Sequence, residues 1–290
     1  MMKVLVTGGT GFTGRFVVSE LTKRGVKVRC LVRTPAKATL LPAEAEITFG
    51  DLSDRASLDK AFTGVDHFIN VASLGFGHAP LIISAAEKAA VKRAVFISTT
   101  AVFTQLNAPS KAMRLAAEKQ IENSQLNYVV LRPTMIYGTS ADRNISRLIS
   151  YLAKWPIIPV VGSGNYLQQP IYVNDLSQFI CNAGLTTQAS RRCFNVSGAE
   201  ALTYNEVIDT ISSLLQKNVR KIHFAARPIV SLLKLVENAG VKMPIKAEQV
   251  KRLNEDKAFD HKEAATEFGV TPQTFAAGAK LELQQMGLLE

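Results

Sequence analysis

The residues with the clearest capacity for chemistry stand near the start of the chain. They are Gly8, Gly11 and Gly14, in the run Val4-Leu5-Val6-Thr7-Gly8-Gly9-Thr10-Gly11-Phe12-Thr13-Gly14. An apolar run precedes the glycines, and an amphipathic stretch from Phe12 to Lys23 follows them. Strand, glycine turn and helix, in that order, form the setting of a dinucleotide-binding turn. Gly8 lets the chain leave the strand in a tight turn. Gly11 lets the backbone approach a pyrophosphate, and Gly14 lets the helix pack close to the sheet. The helix start adds unpaired N–H groups and the positive end of its dipole, both attractive to phosphate. An ordinary βα turn shares this outline, so the flanking strand and helix carry the cofactor reading.

The end of the second predicted strand bears on which dinucleotide would bind. A site for NAD places an Asp or Glu there to hold the ribose 2′-hydroxyl. The chain has Leu31-Val32-Arg33, without an acid. Arg33 can pair with a 2′-phosphate through a charge-assisted hydrogen bond. The expectation is NADP, with NAD as the alternative. A solvent-exposed arginine in a basic neighbourhood would look the same.

Alternating elements must position these residues. Strands are expected at Lys27–Val32, Ile47–Phe49, His67–Val71, Ala94–Ser98 and Tyr128–Leu131. Helices are expected at Phe12–Lys23, Arg55–Phe62 after Asp54, Leu81–Val91 and Lys111–Asn123. Strands and helices alternating at this length imply βαβ units and an α/β Rossmann fold. That fold is a doubly wound parallel sheet with helices on both faces.

After Gly138 the pattern changes. Asn144–Ala153 and Tyr204–Leu215 read as helices, the latter with Thr203 at its N-cap. Pro156–Val161 is a Pro-interrupted apolar piece, and Gly162–Asn165 a turn. Ile171–Val173 and Cys193–Val196 read as strands, with Asp175 placed to help start the helix after the first. The remainder, to Glu290, is expected to be mostly helical. The division is therefore 1–138 for the nucleotide-binding domain and 139–290 for a smaller, mainly helical substrate lobe. Some of the lobe's strands would return to the core domain. Such a lobe would wall a ligand pocket at the carboxyl ends of the strands.

Composition bounds the alternatives. The chain has 290 residues, 47% of them hydrophobic, and a net charge of +10. No apolar run is long enough for a membrane span. Basic residues are scattered through the first half and concentrated again between Lys217 and Lys262, without the interleaved aromatics that stack on bases. Most of this charge reads as a solvated face, which argues against nucleic-acid binding. Cys30, Cys181 and Cys193 lack metal-ligand spacing and are too few for a disulfide framework. No secretion signal is apparent at the N-terminus. Packed, reduced thiols in a cytoplasmic protein, with no metal, are expected. The apolar stretch Ile229–Val236 suits a buried helix or an interface, and is compatible with a homodimer.

With Tyr137 the chain resembles the short-chain dehydrogenase/reductase superfamily, in its extended or atypical branch. Nucleotide-sugar epimerases and dehydratases look most similar. The matching residues are Thr7–Gly14, Gly50-Asp51-Leu52, Asn70-Val71-Ala72-Ser73, Phe96–Thr100, Glu118, Arg132-Pro133, Tyr137-Gly138, Pro170–Leu176 and Phe268–Pro272. The resemblance implies that Gly8, Gly11 and Gly14 contact the pyrophosphate. Thr10, Phe12 and Thr13 would supply backbone donors, and Asp51 and Leu52 would flank the adenine. Val71, Ala72 and Ser73 would line the ribose and nicotinamide side. Locally, Asp51 suits a turn-forming carboxylate equally well. The substrate implied is a small molecule, polar and nucleotide-linked in the related enzymes.

The family pairs Tyr and Lys at four-residue spacing on one helix, with a Ser or Thr after the fifth strand. Lysine lowers the tyrosine pKa, so tyrosinate can move a proton while the nicotinamide moves a hydride. Counting back from Glu118, the lysine position holds Arg114 and the tyrosine position Ser110. Thr99 occupies the Ser/Thr position. A serine is a far weaker acid than a phenol, and arginine stays protonated. Tyr137 and His78 are alternative proton carriers. Each also has a plainer reading, Tyr137 as strand-end packing and His78 as a loop residue. In the substrate lobe, Gln168 and Gln169 stand where nucleotide-sugar enzymes commonly carry an arginine. The catalytic candidates are therefore Thr99, Ser110 and Arg114, in a degenerate epimerase-like or reductase-like site. The alternative is a non-catalytic NADP(H) sensor or accessory protein.

Overall fold

The computed structural model describes residues 2–106, 109–238, 251 and 254–289. The short apolar runs of the first half become β1 (Lys3–Thr7), β2 (Lys27–Val32), β3 (Glu46–Phe49), β4 (His67–Asn70), β5 (Arg93–Ile97) and β6 (Tyr128–Pro133). Between them lie α1 (Phe12–Lys23), the short α2 (Pro35–Ala38), α3 (Arg55–Phe62), α4 (Ala79–Lys88) and α5 (Pro109–Asn123). The second half begins with β7 (Ile136–Tyr137), α6 (Ile145–Leu152), β8 (Ile157–Val161), β9 (Leu167–Gln168), β10 (Ile171–Tyr172) and α7 (Val173–Leu185). It continues with β11 (Arg192–Val196), β12 (Leu202–Thr203), α8 (Tyr204–Leu214), β13 (Arg220–Phe224), α9 (Ala226–Asn238), α10 (Lys262–Phe268) and α11 (Phe275–Gln285).

Seven strands pair in the order β11-β6-β5-β4-β1-β2-β3, all in parallel. Successive strand side chains point to opposite faces, so both faces need a cover. Val4, Val6, Ile69 and Val95 pack with Val17, Leu21, Phe179 and Phe268 from α1, α7 and α10. Leu5, Phe68, Phe96 and Val130 pack with Leu58, Ile82, Ala86 and Ile121 from α3, α4 and α5. The strand order reverses between β1 and β4, and a crevice opens at the carboxyl ends of strands at such a point. Asp54 caps α3, accepting the N–H groups of Ala56 and Ser57.

Two buried basic side chains hold α7 to the sheet. Arg93, fully buried, donates to the carbonyls of Ala183 at 2.8 Å and Ala189 at 2.7 Å. His67 Nδ1 lies 2.7 Å from Gly184 O. Carbonyls near a helix C-terminus lack partners within the helix, and these side chains meet them.

A third core, drawn mostly from the second half of the chain, is formed by Ile149, Leu152, Val160, Ile208, Phe275 and Leu283 with Tyr137 and Tyr172. Thr203 and Glu206 form a reciprocal capping box at α8. Three expectations need correction. Arg220–Phe224 is a strand, not helix, because it pairs in parallel with β8 from Arg220↔Ile157 to Phe224↔Val161. The strand expected over Ile171–Val173 ends at Tyr172, and Val173 opens α7. Asp175 sits in the first turn of α7, but its Oδ2 accepts the Gln273 N–H at 2.9 Å and caps nothing in that helix.

The apolar stretch expected over Ile229–Val236 lies in α9. There Leu233 is buried against Val161, Ile229 and Val230. The side chains at 232 and 234–236, and the basic stretch within 239–250, lie outside the described residues.

Candidate functional site

The glycine turn is locked to the segment after β4. Thr7 Oγ1 donates to Asn70 Oδ1 at 2.7 Å, and Asn70 Nδ2 donates to the Ala72 carbonyl at 3.0 Å. Gly8 follows with φ +73°, and a Cβ there would fall 2.5 Å from Ala72 N. A Cβ at Gly14 would overlap the Gly8 carbonyl oxygen and lie 2.8 Å from Gly9 Cα. Gly11, which has no side chain to cap with, is the N-cap of α1, and the first turn of that helix carries no acid. Thr13 is buried, while Thr10 and Phe12 are half-buried at the turn. A cradle that admits no Cβ, facing an uncapped helix N-terminus, fits a pyrophosphate.

Arg33 is exposed just past β2. Asp51 Oδ1 accepts the Ser53 N–H at 2.9 Å and the Ser53 hydroxyl at 2.6 Å. These bonds hold the Asp51 carboxyl below its usual range, and the nearby positive charges of Arg33 and His78 add to the effect. Asp51 therefore builds a turn, close enough to Arg33 to feel its charge. His78 belongs to this outer end of the crevice, whereas Thr99 lies beyond β5. Leu52, Val71, Ala72 and Ser73 are half-buried between these ends, and Ser73 Oγ accepts the Gly75 N–H at 3.2 Å.

Thr99 Oγ1 accepts the Ala101 N–H at 3.2 Å and caps a short 3-10 turn, Thr100–Phe103. Ser110 and Arg114 are half-buried on α5. The Arg114 guanidinium faces the turn after β4, where a Cβ built at Gly75 would lie 3.5 Å from its Nε. Lys111 points elsewhere, donating to the Thr104 carbonyl at 2.5 Å. Tyr137 is 1% exposed, with its ring 5.6 Å from Tyr172 and 5.3 Å from Phe275. Burial raises its pKa above the usual phenol range, and the Asp175 charge adds to this. It is a packing residue, not a proton carrier. Burial likewise pushes Cys30 and Cys181 up to about 12, so both stay thiols.

Glu118 organises this side of the crevice. It is 2% exposed and accepts from Ser98 Oγ and from Arg132, whose Nη2 lies 2.5 Å from Oε2. The Arg132 guanidinium lies 5.2 Å from the Phe103 ring centroid, and the Phe103 ring is 5.5 Å from that of Phe259. Gln169 completes the tie, donating to Gly198 O at 2.8 Å and accepting the Phe259 N–H at 2.8 Å. Phe103 and Phe259 then line a cavity of about 710 Å³ that Thr99, Tyr204, Gln168 and Glu255 also reach. The segment Glu255–Phe259 crosses this cavity and escaped the sequence reading. No motif marks it, and a distant part of the chain brings it there.

Residues 8–148 match a family described as NAD(P)H-binding, and residues 94–206 match the 3-beta hydroxysteroid dehydrogenase/isomerase family. Together the two matches take in residues 8–206, and both agree with the resemblance to the extended branch of the short-chain dehydrogenase/reductase superfamily. It is 27% identical to the photosystem II assembly factor Ycf39 of Trieres chinensis, over 76% of this chain and 71% of that protein. It is 29% identical to a ceramide reductase of Caulobacter vibrioides, over 59% of this chain and 57% of the other. It is 30% identical to the mitochondrial NADH dehydrogenase (ubiquinone) 1 alpha subcomplex subunit 9 of Mus musculus, over 67% and 56%. It therefore spans little more than half the length of the last two. A UDP-glucose 4-epimerase of Thermus thermophilus in complex with NAD shares the fold at TM-score 0.76, with 20% identity over 99% of both chains. Among the described residues, no helix is long and apolar enough to cross a membrane.

Proposed function

We propose that this chain binds NADP(H) along the crevice and holds a small-molecule ligand beside it, without running the tyrosine-dependent epimerase or dehydratase cycle. Residues 1–138 carry the cofactor, and 139–290 wall the ligand pocket. The single observation that carries this reading is the contrast between the glycine cradle, complete down to its steric requirements, and α5, where Ser110 and Arg114 replace the Tyr-Lys pair. Gly8, Thr10, Gly11, Phe12, Thr13 and Gly14 hold the pyrophosphate, and Arg33 the 2′-phosphate. Asp51 and Leu52 flank the adenine. Val71, Ala72 and Ser73 line the ribose. Arg114, permanently charged, orients the cofactor from α5.

A reductase is the second reading. It is favoured by the cavity at Thr99 and by the likeness to a ceramide reductase. Bound NADPH supplies a hydride to such a reaction. Thr99 would hold the ligand oxygen and solvent would provide the proton, so no tyrosinate is needed. The nucleotide sugar bound by related epimerases is the ligand that the family resemblance suggests.

Fluorescence titration with NADPH and NADH, followed by NADPH oxidation assays with carbonyl compounds and UDP-glucose, tests both readings. Tight NADPH binding without turnover, and turnover gained by Ser110→Tyr with Arg114→Lys, supports the first. Turnover by the wild-type protein that Thr99→Ala abolishes supports the second. Absence of dinucleotide binding overturns both.

A further inference from the structure

We infer that Arg15 and Arg143 form a two-armed anion clamp, which grips the dinucleotide's diphosphate from both halves of the chain. The inference rests on the reading above, in which the glycine turn receives that diphosphate. It adds two cations that lie outside the glycine spacing.

A cavity of about 520 Å³ opens where the start of α1 meets the segment after β6. Phe12 and Arg15 line it from α1, and Thr134, Asp142, Arg143 and Asn144 from the later segment. Phe12 is the first residue of α1, so the cavity adjoins the uncapped N-terminus of that helix. Most of its polar groups are already engaged. Asp142 is buried, with its carboxyl turned toward α6 and Glu282. Its Oδ1 accepts the N–H groups of Asn144 at 2.9 Å and Ser146 at 3.1 Å. The Thr134 hydroxyl donates to Gln169 O at 2.5 Å. By contrast, Arg15 and Arg143 make no side-chain hydrogen bond or ion pair among the described residues.

Arg15 carries the argument furthest. It is half-buried, and its Nε is shut off from solvent without a partner. Arg29, Arg55, Arg93 and Arg132 are also withdrawn from solvent, and each meets a carboxylate or a carbonyl. A guanidinium taken out of water costs free energy until it is paired. Arg15 stays unpaired beside a helix N-terminus that itself attracts anions. Arg143, exposed, brings a second unpaired charge to the same cavity from another part of the chain. Two guanidiniums and the positive end of a helix dipole suit a group with two negative charges. A diphosphate is such a group, whereas a single carboxylate would leave one arginine unpaired. Arg143 and Asn144 also border the larger cavity at Thr99. The clamp therefore joins the cofactor to the wall of the ligand site.

Fluorescence titration of the full chain with NADPH and NADH tests the clamp. Arg15→Met keeps the apolar stem and removes the charge. It is expected to weaken both cofactors about tenfold, and Arg143→Ala about fivefold, because each loses a charge-assisted bond to phosphates that both cofactors carry. Lys23→Ala, an equal loss of charge at the far end of α1, is expected to change neither affinity. Circular-dichroism melts of the ligand-free variants are expected to match the wild type, since neither arginine has a partner in the fold. If Arg15→Met does not fold, Arg143→Ala decides alone. The inference is overturned by unchanged affinity in either folded variant, by a loss confined to NADPH, or by an equal loss in Lys23→Ala. If the wild-type protein binds neither dinucleotide, the cofactor reading falls, and calorimetry with inorganic pyrophosphate decides the clamp separately. Pyrophosphate binding that both variants weaken supports it, and absence of pyrophosphate binding overturns it.

Discussion

The two sides of the crevice are built from different material. On the α1 side the candidate site is backbone: Gly8, Gly11 and Gly14 contribute only the absence of a Cβ and a free helix N-terminus. On the α5 side it is side chains, namely Thr99, Ser110 and Arg114, with the Glu118–Arg132 pair tying α5 to Ser98 and the sheet. A backbone site tolerates almost no substitution at Gly8 and Gly14, because a Cβ there meets main chain. A side-chain site can exchange its reactive groups while its scaffold persists. Glu118 and Arg132 keep their ion pair although Ser110 and Arg114 stand in the reactive positions. On the proposed reading, dinucleotide binding and turnover are therefore separable properties of one crevice.

Gly14→Val breaks the backbone side most severely. Its Cβ has no space beside the Gly8 carbonyl and Gly9 Cα. NADPH affinity in a fluorescence titration is expected to fall at least about a hundredfold, the equivalent of two factors of ten in binding free energy. Glu118→Ala strikes the scaffold of the opposite side. It strands the Arg132 guanidinium in a largely buried place, and urea denaturation is expected to show a loss of about 3 kcal/mol. If that variant keeps full stability, the bracing role assigned to Glu118 is wrong.

Arg33→Ala sharpens the comparison within the cofactor side, where the proposed reading gives it the 2′-phosphate. NADPH affinity is expected to drop about tenfold while NADH affinity holds, since a charge-assisted bond to phosphate is lost. Equal losses for both cofactors would remove the 2′-phosphate assignment.

The remaining effect lies outside the crevice. Burial, and then the adjoining carboxyl of Asp142, pushes Glu282 up to about 10, while the Gly138 N–H pulls the other way. The folded protein keeps this proton at pH values where the unfolded chain has released it. The unfolded state then binds fewer protons, so stability is greatest below the ordinary carboxylate range and falls as the pH rises toward 10. Glu282→Gln is expected to flatten that fall. Between pH 5 and pH 9 the wild-type Tm should drop about 5 °C more than that of the variant.

Legibility followed the same division. The glycine spacing was readable because the need for glycine is local: the turn, the helix start and the close approach are set within a few residues. Strand positions in the first half were readable because apolar runs bounded by turns have few alternatives. Arg220–Phe224 was not, since its five residues become a strand only by pairing with Ile157–Val161, far off in the chain. Tyr137 had two readings in the sequence, and burial against Tyr172 and Phe275 decided between them. Gln168 drew notice only as a missing arginine. Its place in the cavity wall became visible when the strap from Glu255 to Phe259 was seen closing that cavity.

By itself the sequence determined the superfamily, the parallel sheet, the glycine cradle and the replacement of the Tyr-Lys pair, because each depends on residue type and short spacing. Tertiary structure alone decided that Tyr137 is core and that Gln168 and Thr99 share a cavity. These depend on side chains meeting across large separations in the chain, where burial and the supply of hydrogen-bond partners set what each group can do.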